Sequence, residues 1–243
     1  MMRWLSVTAT LARRELGSLF ASAVAYAVLG VFALASSLLF LADFQPGAAA
    51  SLAPLLDAVV WLLVFLAPAL SMRLLSEEYA RGTVERLATW PVSETQVVVA
   101  KWAATVAFLA VLGSPLLVHA AVLEAYTDPD RGPLVSGLLG LLAVGSLYAA
   151  IGLAASAATA SQAVAFLVAV LVVCLLTFGL HFLADASFVP AEVGAVMRAG
   201  NVNARYAGFA RGLVDLQDVA YFAAGTALAL FVAVRLLEAR RWA

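Results

Sequence analysis

The sequence predicts an all-α membrane protein with six transmembrane helices, an N-terminal interfacial helix and both termini in the cytoplasm. Apolar residues make up 65% of the 243-residue chain, against about 45–50% in soluble domains. Three long segments, 16–42, 102–123 and 132–184, contain no Asp, Glu, Lys or Arg. Because a helix of about 20 apolar residues crosses the hydrocarbon core of a bilayer, we expect most of the chain to lie inside a membrane.

The N-terminal segment carries an amphipathic helical pattern. Apolar residues recur at helical spacing between positions 5 and 19, with Arg3, Thr10 and Arg14 on the opposite side. This pattern predicts a helix over about 3–18 that lies in the membrane interface, although a soluble amphipathic cap would show the same pattern. The charges also interrupt the apolar stretch that a signal peptide needs.

Six spans follow the interfacial helix. The 53 residues of 132–184 would form roughly 80 Å of helix, so they must make two spans joined by a tight turn in the polar break 156–162. Gly-rich and Ser-rich linkers are absent, which indicates a single domain over 1–243. Asp57 lies inside a predicted span, where it either lines a pathway or sits at the outer surface. The spans are predicted at about 19–42, 52–75, 97–122, 134–156, 162–184 and 216–237.

The distribution of basic residues predicts the orientation. Ten of the 14 Lys and Arg residues fall on the side of the termini and of the polar segment 76–96. Positive charge concentrates on the cytoplasmic side of membrane proteins, so we expect the termini and this segment in the cytoplasm, and the protein in the cytoplasmic (inner) membrane. The ten residues are Arg3, Arg13, Arg14, Arg73, Arg81, Arg86, Lys101, Arg235, Arg240 and Arg241.

The polar segment 76–96 has the pattern of a short capped helix between two spans. Gly82 is suited to end the second span in a left-handed conformation, and Thr83 can cap a new helix with Glu85 near its positive end. Pro91 ends that helix, and Ser93–Gln96 is a capping box that opens the third span. An ordinary solvated loop is the alternative. In either case Glu78 and Glu85 are expected to be exposed, so that reversing their charge costs little stability.

The segment 185–218 is the least regular. A helix beginning near Pro190 has a partial apolar face, which favours a position on the outer membrane surface, as a lid over an exit or a dock for a partner. The residues from Asp215 to Asp218 are expected to cap the start of the sixth span.

The residues that carry chemistry in enzymes are sparse. A phosphate-binding loop requires Gly-Lys followed by Ser or Thr, whereas Lys101, the only lysine, is followed by Trp102. Two histidines near acids at the outer ends of spans three and five are interpreted as interfacial polar residues rather than as a metal site. We therefore expect no catalytic, cofactor-binding or metal-binding residues, and no enzymatic activity of the chain by itself.

Residues 68–102, PALSMRLLSEEYARGTVERLATWPVSETQVVVAKW, resemble the signature of type-2 ABC exporter permeases, specifically the gliding-motility-type branch. Arg86 stands where the family usually has an apolar residue, and 159–162 replace a more polar turn. The further matching segments are 139–166, 209–222 and the closing RLLEARRW.

The resemblance implies that a cytoplasmic helix docks in a groove of a separate ABC ATPase subunit, a dimer that binds Mg-ATP. It also implies pairing with a second copy or a homologous permease, with an auxiliary membrane subunit bearing an external domain as a further candidate partner, and no nucleic acid. The implied ATPase-coupling residues are Glu77, Glu78, Arg81, Gly82, Thr83, Glu85, Arg86 and Pro91. The implied second cytoplasmic contact comprises Thr159, Ser161 and Gln162.

The sequence thus favours a permease subunit that couples ATP hydrolysis by a partner to the movement of a substrate or of force across the membrane. A non-transporting membrane scaffold of a larger machine is one alternative. A secondary transporter is the other, and it would show broken helices with acids or amides near the membrane centre, whereas the predicted span centres are nearly free of such residues.

The ten-to-four bias in basic residues predicts the topology directly. A reporter fused after Ala243, or placed in 76–96, should be cytoplasmic, and a reporter inserted near Asp130 should be external. Compartment-specific enzymatic reporters make this measurement, and the reverse pattern would contradict the predicted orientation.

Overall fold

A computed structural model describes residues 2–43, 51–82, 92–126 and 129–240. Within these residues the chain is all-helical, and six helices are long and apolar enough to cross a membrane. The predicted fold class of six apolar spans preceded by an N-terminal helix is confirmed. The six spans are Ala23–Ala42, Ala53–Ala80, Glu94–Tyr126, Arg131–Ala158, Gln162–Ala184 and Leu216–Arg240.

The described residues form twelve α-helices, numbered here in chain order, with one π-helical turn at Leu175–Gly179 between α8 and α9. The helices are α1 (Met2–Phe20), α2 (Ala23–Asp43), α3 (Ala53–Ser71), α4 (Ser76–Ala80), α5 (Glu94–Leu112), α6 (Ser114–Tyr126), α7 (Arg131–Ala158), α8 (Gln162–Cys174), α9 (Leu180–Ala184), α10 (Ala191–Ala199), α11 (Val202–Ala210) and α12 (Leu216–Arg240).

The charge-free segment 132–184 forms two helices that meet at the polar break 156–162, as the sequence predicts. Helix α7 ends at Ala158 and α8 begins at Gln162. The Thr159 hydroxyl accepts a hydrogen bond from the Ser161 N–H at 3.1 Å, and the Ser161 hydroxyl accepts one from the Val164 N–H at 3.4 Å. These side chains satisfy backbone donors that the start of a helix leaves unpaired, so the chain reverses in three residues.

Helix α7 forms the centre of the bundle and packs against α3, α5, α8, α11 and α12. Its Val144, Tyr148 and Leu153 are completely buried. Two of its glycines permit close approaches of neighbouring helices. A Cβ at Gly152 would lie 1.9 Å from the Ser71 Oγ, and a Cβ at Gly140 would lie within 3 Å of the α11 side chains. Small residues at such crossings let membrane helices pack backbone to backbone.

The outer segment contains two helices with different surroundings. Helix α10 is largely exposed and suits the predicted surface position. Helix α11 does not, because Val202, Tyr206 and Phe209 are buried against α7 and α3. The prediction of a surface helix concerned the helix that begins near Pro190, and it did not include the buried helix α11. Its aromatic side chains fill the space that Gly140 leaves open.

A polar network joins α11 to the fifth span at the π-helical turn. The Thr177 carbonyl accepts hydrogen bonds from the Asn201 amide at 2.8 Å and from the Asn203 amide at 3.3 Å. The Thr177 and Tyr148 hydroxyls lie 2.6 Å apart. Inserted π turns free a carbonyl from the regular helical pattern, and here amide side chains pair with it. The interior of the spans is therefore more polar than the sequence suggests.

The contact at Gly140 makes a specific prediction. The change Gly140→Ala should destabilise the protein by about 1–3 kcal/mol, the usual cost of overpacking a tight core, because the new methyl group would lie 2.7 Å from the Phe209 Cβ. Unfolding of purified protein in detergent, followed by circular dichroism, measures this difference.

The matched control is Gly30→Ala, since a Cβ at Gly30 has no neighbour within 4 Å. Equal midpoints for the two variants would show that α11 does not pack against α7 as described.

Candidate functional site

The ends of several helices meet at one end of the bundle, here called the terminal end because both terminal helices reach it. The Trp4 carbonyl of α1 accepts a hydrogen bond from the Gln96 amide of α5 at 3.3 Å. The Arg240 guanidinium of α12 donates to the Ala158 carbonyl and lies 4.5 Å from the centre of the Tyr79 ring. The polar segment that follows the second span therefore begins where both terminal helices lie.

The second span breaks at this end, between α3 and α4. Ser156 of α7 is completely buried at the break. Its hydroxyl accepts hydrogen bonds from the Leu75 N–H at 3.0 Å and the Ser76 N–H at 2.9 Å, and donates to the Met72 carbonyl at 2.8 Å. Buried backbone groups without partners are costly. One hydroxyl from another span therefore makes the interruption possible and fixes α4 to α7.

An ion-pair cluster fixes α4 to two further helices. The Lys101 ammonium of α5 is 3% exposed, and it lies 2.8 Å from a Glu78 carboxylate oxygen of α4 and 3.1 Å from a Glu15 carboxylate oxygen of α1. A buried ammonium is stable only when carboxylates or other acceptors surround it. Lys101 therefore holds α1, α4 and α5 together through one charged group.

A second set of charges lies along α4. Arg73, in the break, donates to the Ser22 hydroxyl at the junction of α1 and α2 and lies 4.0 Å from Glu77. The other oxygen of Glu77 lies 2.6 Å from the Arg81 guanidinium, which is 71% exposed. Because exposed pairs contribute little stability, Arg81 is available to a partner at this surface.

Two local predictions for the polar segment 76–96 are confirmed, one near each end of the segment. Gly82 has a φ of +65°, the left-handed conformation predicted for it. The Ser93 hydroxyl accepts from the Gln96 N–H at 3.3 Å, while the Gln96 side chain accepts from the Ser93 N–H at 2.9 Å, which is the predicted capping box. Four of the predicted coupling residues, Thr83, Glu85, Arg86 and Pro91, lie outside the described residues.

The predicted exposure of Glu78 is wrong. Its side chain is 22% exposed and is paired with the buried Lys101. The reason is tertiary: the break at 72–75 turns α4 so that Glu78 faces α5, and no local pattern in the sequence indicates that turn. Reversing the charge at Glu78 therefore cannot be a change that leaves the fold intact.

The predicted second contact lies beside α4. Thr159 and Gln162 are partly buried and Ser161 is exposed in the turn between α7 and α8, two helices that α4 contacts. The structure thus brings this turn near the first predicted site. Asp57 lies apart from both, exposed in the second turn of α3 at the opposite end of the bundle.

Several residues of the terminal end were not identified as site residues from the sequence. Ser156 appears in the sequence only as the start of a polar break, and Glu15 only as an acid in an amphipathic helix. The sequence contained one signal for each residue. Ser156 is a hydroxyl in an otherwise apolar span, and Glu15 is an acid that can pair with the only lysine. Among the described residues no group of three or more His, Cys, Asp or Glu side chains is placed to hold a metal ion.

Six helices that are long and apolar enough to cross a membrane define a multi-pass membrane protein. At one end of the bundle, ion pairs attach the short helix α4 to its neighbours. The family model described as ABC-2 family transporter protein matches residues 5–199. The chain therefore belongs to this family and is a membrane permease of the ABC exporter class. A search of curated proteins finds no match.

The Lys101 cluster predicts the effect of charge reversal. The change Glu78→Lys should lower the free energy of unfolding by about 3–5 kcal/mol, because it places a second cation against a buried ammonium. Thermal unfolding in detergent provides the measurement. The control is Glu238→Lys, which breaks an exposed pair with Arg235 and should cost at most about 1 kcal/mol. A Glu78→Lys variant as stable as the control would contradict the buried cluster.

Proposed function

We propose that this chain is the membrane subunit of an ATP-driven exporter of the gliding-motility-type branch, and that a separate ABC ATPase docks on the segment following α4. The observation that carries the proposal is the attachment of α4 to three other helices through Ser156 and Lys101. A helix attached in this way moves its neighbours when a partner pushes on it.

The physical reason concerns stiffness. Five residues form too short a helix to be stable alone, so a free α4 would absorb a displacement by unfolding. Here its backbone is bonded to α7, and its Glu78 is bonded to α5 next to α1. A force applied beyond Gly82 would therefore act on the bundle rather than on a loop.

The proposal places the terminal end in the cytoplasm, consistent with the excess of basic residues there. Mg-ATP would be bound by the partner, since the only lysine is not part of a phosphate-binding loop. The ATPase dimer would face two permease chains, either two copies of this one or a homologous pair, and an auxiliary membrane subunit with an external domain would complete the assembly.

Within this assembly the exposed residues would make the contacts. Arg81 at the end of α4 is 71% exposed and would meet acidic side chains of the ATPase, and Glu85 and Arg86 follow in the sequence. The turn containing Thr159, Ser161 and Gln162 lies beside α4 and would form the second contact. We assign Glu77 and Glu78 a positioning role, because both pair with cations of this chain.

Gly82 provides a test that leaves the bundle untouched. The change Gly82→Val should cost about 1–2 kcal/mol locally, since a β-branched residue disfavours positive φ, while open space around the position permits folding. We expect co-purification with the ATPase and ATP turnover of the reconstituted complex to fall markedly. Glu85→Lys should have the same effect through charge at the interface.

The control is Gly30→Val, at a position in α2 that is equally open but has an ordinary φ. Normal binding and turnover in both Gly82→Val and Glu85→Lys would show that the segment is only a connecting loop. ATP hydrolysis by the isolated chain would overturn the proposed division of labour.

A further inference from the structure

The last residue of the sixth span contacts two other helices. The Arg240 guanidinium donates a hydrogen bond to the Ala158 carbonyl at the end of α7. It also lies over the Tyr79 ring of α4, 4.5 Å from the ring centre. Because a guanidinium is planar and carries its donors at its edge, one group can stack on a ring and donate to a carbonyl at the same time. A single side chain thus joins α4, α7 and α12.

Each of these two contacts has a clear physical basis. Ala158 ends α7, and Thr159 after it is extended. The last carbonyls of a helix lack intrahelical partners and carry the negative end of its dipole, so a cation is favourable there. Tyr79 packs partly buried against the core, and among the described residues its hydroxyl has no hydrogen-bond partner. The ring of Tyr79, and not its hydroxyl, is therefore the group that Arg240 holds.

Helix α4 is held from more than one direction. The Ser156 bonds fix its start, and the pair between Glu78 and Lys101 fixes one side. Adjacent side chains point about 100° apart around a helix of 3.6 residues per turn, so Tyr79 projects from a different side, towards Arg240. The short helix therefore cannot turn about its own axis without losing one of these contacts.

The two contacts of Arg240 lie at the two surfaces on which the ATPase is proposed to dock. Tyr79 belongs to α4, and Ala158 directly precedes the turn 159–162. We propose that Arg240 is a positioning residue that sets the distance between α4 and this turn, an inference that rests on the proposed function. Two surfaces held at a fixed spacing bind a rigid partner more tightly than two that move independently, because less conformational freedom is lost on binding.

The geometric part of the proposal is tested on the full-length chain in lipid nanodiscs, without a partner. Spin labels at the exposed Ala80 of α4 and the exposed Ala163 at the start of α8, with Cys174→Ala to remove the native thiol, report the distance between the two surfaces. We expect a narrow distance distribution. Arg240→Gln should broaden it, and because Arg240 is exposed, this change leaves the packed core intact.

Matched variants separate the bridge from the loss of any surface arginine. Arg235→Gln removes a guanidinium that stacks on Phe231 of its own helix, 4.9 Å from the ring centre, and should leave the distribution narrow. Tyr79→Leu removes the ring and should broaden the distribution, whereas Tyr79→Phe keeps the ring and should restore the narrow one. A distribution that stays narrow in both Arg240→Gln and Tyr79→Leu would overturn the proposal.

The functional part is tested with the ABC ATPase that co-purifies with the unaltered chain. Arg240→Gln should weaken ATPase binding about tenfold through loss of the stack and of the charged hydrogen bond, and Tyr79→Phe should bind as the unaltered chain does. The KM for ATP should not change, because the partner binds the nucleotide. Normal ATPase affinity in Arg240→Gln would overturn the positioning role alone. An unaltered chain that binds no ATPase would instead refute the proposed function, and the role of Arg240 with it.

Discussion

The buried ammonium of Lys101 is the constraint on which the terminal end depends. A cation that is 3% exposed inside a helical bundle requires compensating charge, and its two carboxylates come from α1 and α4, two helices far apart in the sequence. Neither helix can move away from α5 without removing one of the two carboxylates that compensate the buried ammonium. The packing of α1 and of α4 against the start of α5 thus depends on one group.

Helix α7 extends this constraint along the bundle. Near its end it presents Ser156 to the broken second span, and nearer its start it presents Gly140 to the aromatic residues of α11. Between these two points its Val144, Tyr148 and Leu153 side chains are completely buried. In the proposed coupling, a displacement of α4 would reach α11 through a single packed helix, and the π turn bonded to Asn201 lies where α11 meets the fifth span.

Much of the fold could be predicted because a bilayer imposes length and composition on each span. Local backbone signals were equally readable: Gly82 ends α4 with a positive φ, and Ser93 caps α5. The remaining features depend on distant partners. The break at 72–75 requires a hydroxyl 80 residues away, the burial of Glu78 requires Lys101, and the insertion of α11 requires the open space at Gly140. No window of sequence contains both members of these pairs.

The central claim is that Lys101 holds α4 as a rigid part of the bundle, and spin-label distance measurement tests it most directly. Labels at the exposed Ala9 of α1 and Ala80 of α4 should give a narrow distance distribution in the otherwise unaltered protein. Lys101→Met should broaden it, while Glu238→Gln, in an exposed pair of α12, should leave it narrow. A distribution that stays equally narrow in Lys101→Met would contradict the account, because α4 would then be held without the ion-pair cluster.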